Sequence, residues 1–337
     1  MSTDRKPHVS WVMPVHNGAD YLNDAIDSVL NQTFPDWELI IVDDGSTDQT
    51  PEIIQDYCSS DFRIRSIRRD RASGGANIPR LEGIAAARGE LIAPLDADDV
   101  VMPDYLGSLL SRMKSSGAEI VYPIMVDLES EKRVITYSHE MQELADGKIS
   151  SLPGKSCVKH TLDGWRMGCN GGVIKKEAYE RVMQHPYARL TYSCADELLT
   201  RALLLEAKGV TVTDTKYLYR RNPESVTRRK SIDIFNYLRN NRELLKFTDR
   251  NFGQSSEEYL LAQKQNFHGV ADAYTLIAIY GFSQHDRAKA FEMIDSTRKL
   301  IDFHLLKGRV SRHLYRILKW RWLPALSIFR LRHFLKS

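Results

Sequence analysis

The sequence predicts an α/β protein with a mostly parallel sheet, followed by a helical C-terminal region. Three observations carry this. Between residues 9 and 122, short apolar runs alternate with segments of helical periodicity, the pattern of strands joined by right-handed crossovers. The run Trp-Glu-Leu-Ile-Ile-Val at 37–42 is nearly continuously apolar, as a strand covered on both faces should be. From about residue 230 onward the spacing is helical and no strand signal appears. A chain of 337 residues has room for roughly two domains at about 150 residues each. The expected division is 1–122 and 123–228 as two halves of one α/β domain, with 229–337 as the helical region.

Strands are expected at 9–13, 37–42, 63–67, 90–95 and 119–122. Helices are expected at 21–32, where Leu22, Ile26, Val29 and Leu30 share a face, from Thr50-Pro51, within 76–87 starting near Pro79, and at 103–115. Proline suits the first turn of the helix at 50 because its missing N–H is not needed there. Residues 123–225 are less regular. They hold a short strand at 171–174, helices at 176–184 and 195–207, and an alternating strand at 210–219.

Apolar residues at 42% and charged residues at 27% exclude a disordered, collagenous or low-complexity chain. No apolar run reaches the 18 residues of a conventional spanning helix. The apolar stretch 9–15 is broken by Pro14, His16 and Asn17, too soon for a signal peptide. Cys58, Cys157, Cys169 and Cys194 form no C-x-x-C pair and complete no zinc spacing. Reduced thiols in a cytosolic protein are therefore expected. Charge is unevenly distributed: residues 298–337 contain eleven Lys or Arg and one acid, Asp302, leaving −7 on the rest of a chain whose total is +3. Such a tail suits a polyanionic partner, a membrane surface or a nucleic acid.

Polar residues gather where the predicted strands end: Pro14-Val-His-Asn17, Asp43-Asp-Gly-Ser-Thr-Asp48 and Asp96-Ala-Asp-Asp99. Parallel sheets bind ligands at the carboxyl ends of their strands. Acidic clusters beside buried strands need neutralising, and an alternating D-x-D offers hard oxygens that suit Mg²⁺ or Mn²⁺ bridging a diphosphate. Taken singly, Asp43-Asp-Gly-Ser is also an ordinary turn, and 96–99 could cap the following helix. Their joint placement on neighbouring strands favours a site.

Pro14-Val-His-Asn17, Ser28-Val-Leu-Asn-Gln-Thr33, Val42-Asp-Asp-Gly-Ser-Thr-Asp48 and the run GELIAPLDADD at 89–99 together resemble the N-terminal half of family 2 glycosyltransferases of the bacterial polysaccharide type. The match in order and spacing covers about 90 residues. The resemblance implies the GT-A fold, a Rossmann-like, mostly parallel sheet flanked by helices, and a nucleotide-sugar donor. It implies that Pro14, Val15 and His16 line the nucleoside pocket and that Asp43 accepts a hydrogen bond from the base, as uracil N3–H would donate. It also puts Asp96 near the ribose or metal, and Asp98 on the metal. Arg80 matches the arginine of the family's A-R-N-x-G segment, with Leu81 where Asn is usual; a surface salt bridge is its alternative. Asn170-Gly-Gly-Val-Ile174 resembles the acceptor-side strand, where close backbone approach needs glycine. In Cys194-Ala-Asp-Glu197 the resemblance makes Asp196 the catalytic base, with Ala195 replacing the usual Glu. Glu197 competes for that role, and a helix N-terminal charge is the structural alternative for Asp196. The segment 217–227 resembles the family's closing segment, in which Arg220 or Arg221 would reach the diphosphate or an acceptor loop, or else be solvated.

The resemblance therefore implies an inverting, metal-assisted hexosyl transfer to a hydroxyl of a glycan or lipid-linked acceptor. Its alternative is a catalytically silent, membrane-associated scaffold. A dehydrogenase is disfavoured because G-x-G-x-x-G is absent after the first strand. Residues 309–336 read as two basic amphipathic helices broken at Pro324. Val310, Leu314, Ile317 and Leu318 lie on one face of the first, and Ile328, Leu331, Phe334 and Leu335 cluster in the second, with Trp320 and Trp322 between. That composition suits a helix lying in an anionic interface, hence a cytoplasmic protein peripheral to the inner face of the plasma membrane. The alternative is a cap packed on the protein. No nucleic-acid partner is expected, because no reading module accompanies the charge.

Overall fold

The computed structural model describes residues 6–134, 139–162, 171–192, 194–222, 231–311, 314, 315 and 318. The chain divides into two compact units, Met1–Asn222 and Pro223–Ser337.

The first unit opens with β1 (Val9–Val15), α1 (Leu22–Leu30), β2 (Trp37–Asp43), α2 (Thr50–Ser60), β3 (Ile64–Arg68), α3 (Asn77–Ala86) and β4 (Leu91–Pro94). It continues through β5 (Val100–Val101), α4 (Tyr105–Ser116), β6 (Ile120–Asp127), α5 (His139–Ala145), α6 (Gly154–Leu162), β7 (Val173–Lys175), α7 (Lys176–Val182), α8 (Asp196–Glu206) and β8 (Val210–Tyr219). Every residue of β1 and β2 is buried, as strands covered on both faces require. α1 buries Leu22, Ile26 and Val29 of the expected face together with Ala25, while Leu30 is half-buried. α3 starts at Asn77 with Pro79 inside its first turn, where no intrahelical N–H is needed.

The eight strands form one sheet in the order β3-β2-β1-β4-β7-β6-β8-β5. The first four are parallel, so their carboxyl ends open on one edge. There Val15 pairs with Asp43 and Asp43 with Arg68. The sheet is mixed rather than parallel throughout: β7 runs antiparallel to β4 and β6, and β5 antiparallel to β8. Strand direction is set by the connections, and a three-residue strand carries no local signal of it. β6 also continues past the expected end at Tyr122. Its register shifts between Tyr122 and Ile124, so Pro123, which lacks an N–H, is accommodated at an irregularity instead of ending the strand. Gly172 lies at φ +92°, and a Cβ there would sit 2.4 Å from the Val121 carbonyl oxygen. The expected close approach on the acceptor-side strand is thus present at Gly172; Asn170 lies outside the described residues. Cys58, Cys157 and Cys194 are free thiols, and Cys169 lies outside the described residues.

The second unit contains α9 (Asn236–Phe252), α10 (Glu257–Ile279) and α11 (Gln284–Arg298). Its core joins Phe235, Leu238, Phe267, Val270, Ile294 and Leu306 to Leu314 and Leu318, which are 4% and 1% exposed. Leu314 and Leu318 of the first basic segment therefore pack into protein rather than facing lipid. Ile317, Trp320, Trp322 and the second expected helix lie outside the described residues. No helix among the described residues is long and apolar enough to cross a membrane.

Removing a buried leucine loses its transfer free energy and leaves a cavity. Leu314→Ala is expected to lower stability by about 2–4 kcal/mol, read by denaturant unfolding or by hydrogen exchange in α9–α11. Unchanged exchange would show that this segment does not dock as a cap.

Candidate active site

Three loops at the carboxyl ends of β1, β2 and β4 build the site. The loop after β1 and the turn after β2 are stitched together. Asn17, at φ +50°, donates its N–H to Ser46 Oγ at 2.9 Å, and its Oδ1 accepts from Thr47 N–H at 2.8 Å. Thr50 Oγ1 accepts from Gly18 N–H at 2.9 Å, and the Asp44 carbonyl bonds His16 Nδ1 at 3.0 Å. Gly45 holds φ +73°, and a Cβ there would lie 2.7 Å from the Arg71 carbonyl carbon, so only glycine fits the turn. Pro14 and Val15 are buried and His16 is exposed. The parallel register sets Val15 beside Asp43, so these residues lie at neighbouring strand ends.

Asp43 is 2% exposed. Its Oδ1 accepts from Ser46 N–H at 2.9 Å, while its Oδ2 is buried without a hydrogen bond, with Arg68 Nε at 3.6 Å. Such an oxygen is a ready acceptor for a ligand N–H. Asp44, which the sequence did not single out for a role, is turned the other way. It meets Arg69 Nε at 2.8 Å and accepts from Ser73 N–H and Oγ at 2.9 and 2.8 Å. A cleft of about 470 Å³ lined by Arg69, Arg71, Ala72, Ser73, Ile78 and Thr191 adjoins this loop.

The loop after β4 concentrates negative charge. Burial raises the Asp96 carboxyl to about 6; Arg80 opposes the rise, and the charges of Asp98 and Asp196 add to it. Arg80 Nη2 donates to Asp96 Oδ1 at 2.7 Å from a side chain that is 1% exposed, with Asp96 29% exposed, so the arginine is buried and not the surface bridge considered from sequence. Asp99 is fully buried. Burial, then Asp96 and Asp98, push it well up, against hydrogen bonds from Tyr217 and Arg220. Tyr217 donates its hydroxyl to Asp99 Oδ2 at 2.6 Å and accepts from Asp96 N–H at 3.3 Å. Burial and these carboxylates push the phenol well above its ordinary value. Asp98 carries one hydrogen bond on its carboxylate, from Asn222 Nδ2 at 3.2 Å.

Asp196 begins α8, just after Cys194 at φ +70°. It is half-buried, with Oδ1 accepting from Glu197 N–H at 3.1 Å, and its charge reaches Asp96. Glu197 is exposed and pairs with Arg201 at 3.2 Å, while Arg201 donates to Thr161 Oγ1 at 3.0 Å. The two expected arginines are both engaged with protein carboxylates: Arg220 with Asp24 at 2.7 Å, and Arg221 with Asp127 at the end of β6. Sequence reasoning missed Asp24, Asp99, Tyr217 and Asn222 as parts of this arrangement. An aromatic with a polar tip at an inward position of β8 was the available signal for Tyr217.

Among the described residues no group of three or more His, Cys, Asp or Glu could by itself hold a metal. The donor chemistry nevertheless fits a hard cation with few protein ligands. Asp98 is lightly engaged, and the mutual repulsion that raises Asp96 is what a divalent ion relieves.

The family model for glycosyl transferase family 2 matches residues 10–182. Glycosyltransferase GlyG of Streptococcus pneumoniae serotype 4 is 26% identical over 226 residues, covering 65% of this chain and 73% of that protein. The putative teichuronic acid biosynthesis glycosyltransferase TuaG of Bacillus subtilis is 42% identical over 111 residues, 33% of this chain and 44% of that protein. The chain thus spans less than half of TuaG. Residues 1–349 of S. aureus TarS in complex with UDP-GlcNAc superpose with a TM-score of 0.69 at 16% identity, covering 95% of this chain and 88% of that one.

The charge crowding sets a pH dependence. Asp96 rises from 3.8 to about 6 in the folded protein, so folding takes up a proton between these values. The penalty from this group is fully present above about pH 6 and is relieved as pH falls toward 4. Asp98→Asn removes part of the repulsion. It should raise the melting temperature at pH 7 without divalent cation by roughly 1–3 °C, with a smaller gain at pH 4.5. A fall in melting temperature at pH 7 would contradict the crowding.

Proposed function

Because the chain belongs to glycosyl transferase family 2, we propose that it moves a sugar with inversion from a nucleotide-diphosphate donor, a UDP-sugar, to a hydroxyl of a glycan or lipid-linked acceptor in polysaccharide assembly. One observation carries the proposal. The D-x-D loop leaves β4 on the edge where the parallel strands β1 and β2 end beside Asp43, and the charge of Asp196 at the start of α8 reaches Asp96 there. The TarS complex with UDP-GlcNAc and the teichuronic acid assignment of TuaG support the donor and polysaccharide readings.

In this reading Pro14, Val15 and His16 border the nucleoside, and the buried Asp43 Oδ2 accepts the N–H of the base. Arg80 holds Asp96 toward the ribose. Asp98 would hold Mg²⁺ or Mn²⁺, which when bound supplies positive charge to the leaving diphosphate. Asp196 takes the proton of the acceptor hydroxyl as its oxygen forms a bond to the anomeric carbon and the bond to the diphosphate oxygen breaks. A carboxylate suits this role when it lies within hydrogen-bond reach of the hydroxyl. Glu197 is turned to Arg201, which favours Asp196 as the base. The bonds between the loops after β1 and β2 fix the nucleoside wall, and that orientation is itself catalytic. Arg220 and Arg221, bound to protein carboxylates, are not assigned to the diphosphate. The membrane reading now rests on residues 319–337, outside the described residues; that stretch would meet an anionic inner leaflet if the acceptor is lipid-linked.

Transfer or donor hydrolysis across a panel of nucleotide sugars, with Mg²⁺ or Mn²⁺ present and absent, tests the function. Asp196→Ala is expected to reduce turnover by about 10²–10⁴-fold with UDP binding retained, and Glu197→Ala to stay within about 10-fold of wild type. Asp98→Ala should abolish both turnover and Mn²⁺-dependent stabilisation by UDP. Wild-type turnover by Asp196→Ala would remove the base assignment.

A further inference from the structure

Arg220 sits where the first unit's last strand meets the acidic loop, and its backbone N–H, Nε and Nη2 all donate to protein oxygens. Its N–H donates to Asp99 Oδ1 at 2.8 Å. Its Nε donates to the Asp98 carbonyl oxygen at 2.9 Å, and its Nη2 pairs with Asp24 Oδ2 at 2.7 Å. Its guanidinium also lies 4.9 Å from the centre of the Tyr21 ring, within cation–π range. Two residues on, Asn222 donates to the Asp98 carboxylate at 3.2 Å. Segment 220–222 therefore holds Asp98 twice, at its carbonyl and at its carboxylate, and is itself anchored to α1 through Asp24.

We propose that Arg220 is a latch and not a diphosphate ligand, and that Asp24 on α1 is a positioning residue that sets the Asp98 carboxylate through it. The inference rests on the functional reading above, because it concerns what Asp98 is positioned for. A guanidinium presents its N–H groups in a rigid plane. Pinning Nη2 to Asp24 therefore fixes where Nε points, and with it the carbonyl of Asp98. An acid in the first turn of a helix is also favourable by itself. Asp24 meets the same arginine that holds the D-x-D loop, and that separates the two roles. The pair is partly open, with the Arg220 side chain 20% exposed and Asp24 60% exposed. Its value to overall stability is accordingly small, while its effect on one carboxylate's orientation is direct.

The test uses the full chain and reads binding. UDP-dependent thermal stabilisation is titrated with Mn²⁺ for wild type, Asp24→Asn, Arg220→Lys and the double variant, with donor hydrolysis as a second readout. The expected result for Asp24→Asn is a melting temperature within about 2 °C of wild type. Its half-saturating Mn²⁺ concentration should rise about 3–10-fold, with a smaller change in kcat at saturating Mn²⁺. Arg220→Lys keeps the charge but loses the fork, so it should shift in the same direction. The double variant should be no worse than the worse single one, since both break one connection. If Asp24→Asn binds UDP and Mn²⁺ as wild type does or more tightly, as it would were Arg220 released to grip the diphosphate, the latch is wrong and the functional reading stands. Additive effects in the double variant would also overturn it. A wild-type protein with no Mn²⁺-dependent UDP binding would overturn both.

Discussion

Carboxylates brought together at the ends of buried strands repel one another, and much of this structure follows from how that repulsion is contained. Asp96, Asp98 and Asp99 leave β4 within four residues, and α8 brings Asp196 within electrostatic reach. Water screens a buried or half-buried carboxylate poorly, so Asp99, which is fully buried, and the half-buried Asp96 gain from a donor or from holding a proton. Arg80 answers Asp96 from α3, and Tyr217 on β8 and the Arg220 N–H just after it answer Asp99. What is left over is Asp98, the carboxylate with the lightest engagement in the group. An arrangement that neutralises its neighbours and leaves one acid available is suited to a divalent ion and a diphosphate.

The loops after β1 and β2, proposed to face the nucleoside, obey a different constraint. There the backbone conformations are unusual, with Asn17 and Gly45 at positive φ, and they persist because the two loops hydrogen-bond each other. Side-chain oxygens of Ser46, Thr50 and Asp48 accept the N–H groups of 17–19. The parallel register that sets Val15 beside Asp43 puts these loops within bonding distance in the first place. In the proposed reading, a rigid wall of this kind would bind a flat base without the cost of ordering a loop.

Much of this was legible in the sequence. The alternation of strands and helices to residue 122 and the polar clusters at strand ends follow from period and composition, and the structure keeps all of them. The direction of β7 was not legible, because polarity comes from long connections. The extension of β6 past Pro123 was hidden because proline reads as an end, when here it sits at a register shift. In the site, Asp43, Asp96, Asp98 and Asp196 could be named from local motifs. Their partners could not: Tyr217 reaches Asp99 across 118 residues and Arg220 reaches Asp24 across 196, and no local pattern encodes such pairs. For the same reason the arginines looked free to reach a ligand. The amphipathic face at Leu314 and Leu318 suited lipid and protein equally, and only the packing decided between them.

The central claim is that the D-x-D loop and the opening of α8 crowd their charges on Asp96. The most direct measurement is the carboxyl ¹³C chemical shift of Asp96 followed through pH, first without divalent cation and then with Mg²⁺ and UDP. The account predicts an apparent pKa near the 6 that burial and its neighbours impose, lower in Asp196→Asn, and lower again when Mg²⁺ and UDP bind. A value near that of an ordinary aspartate, unmoved by Asp196→Asn or by Mg²⁺ with UDP, would contradict it.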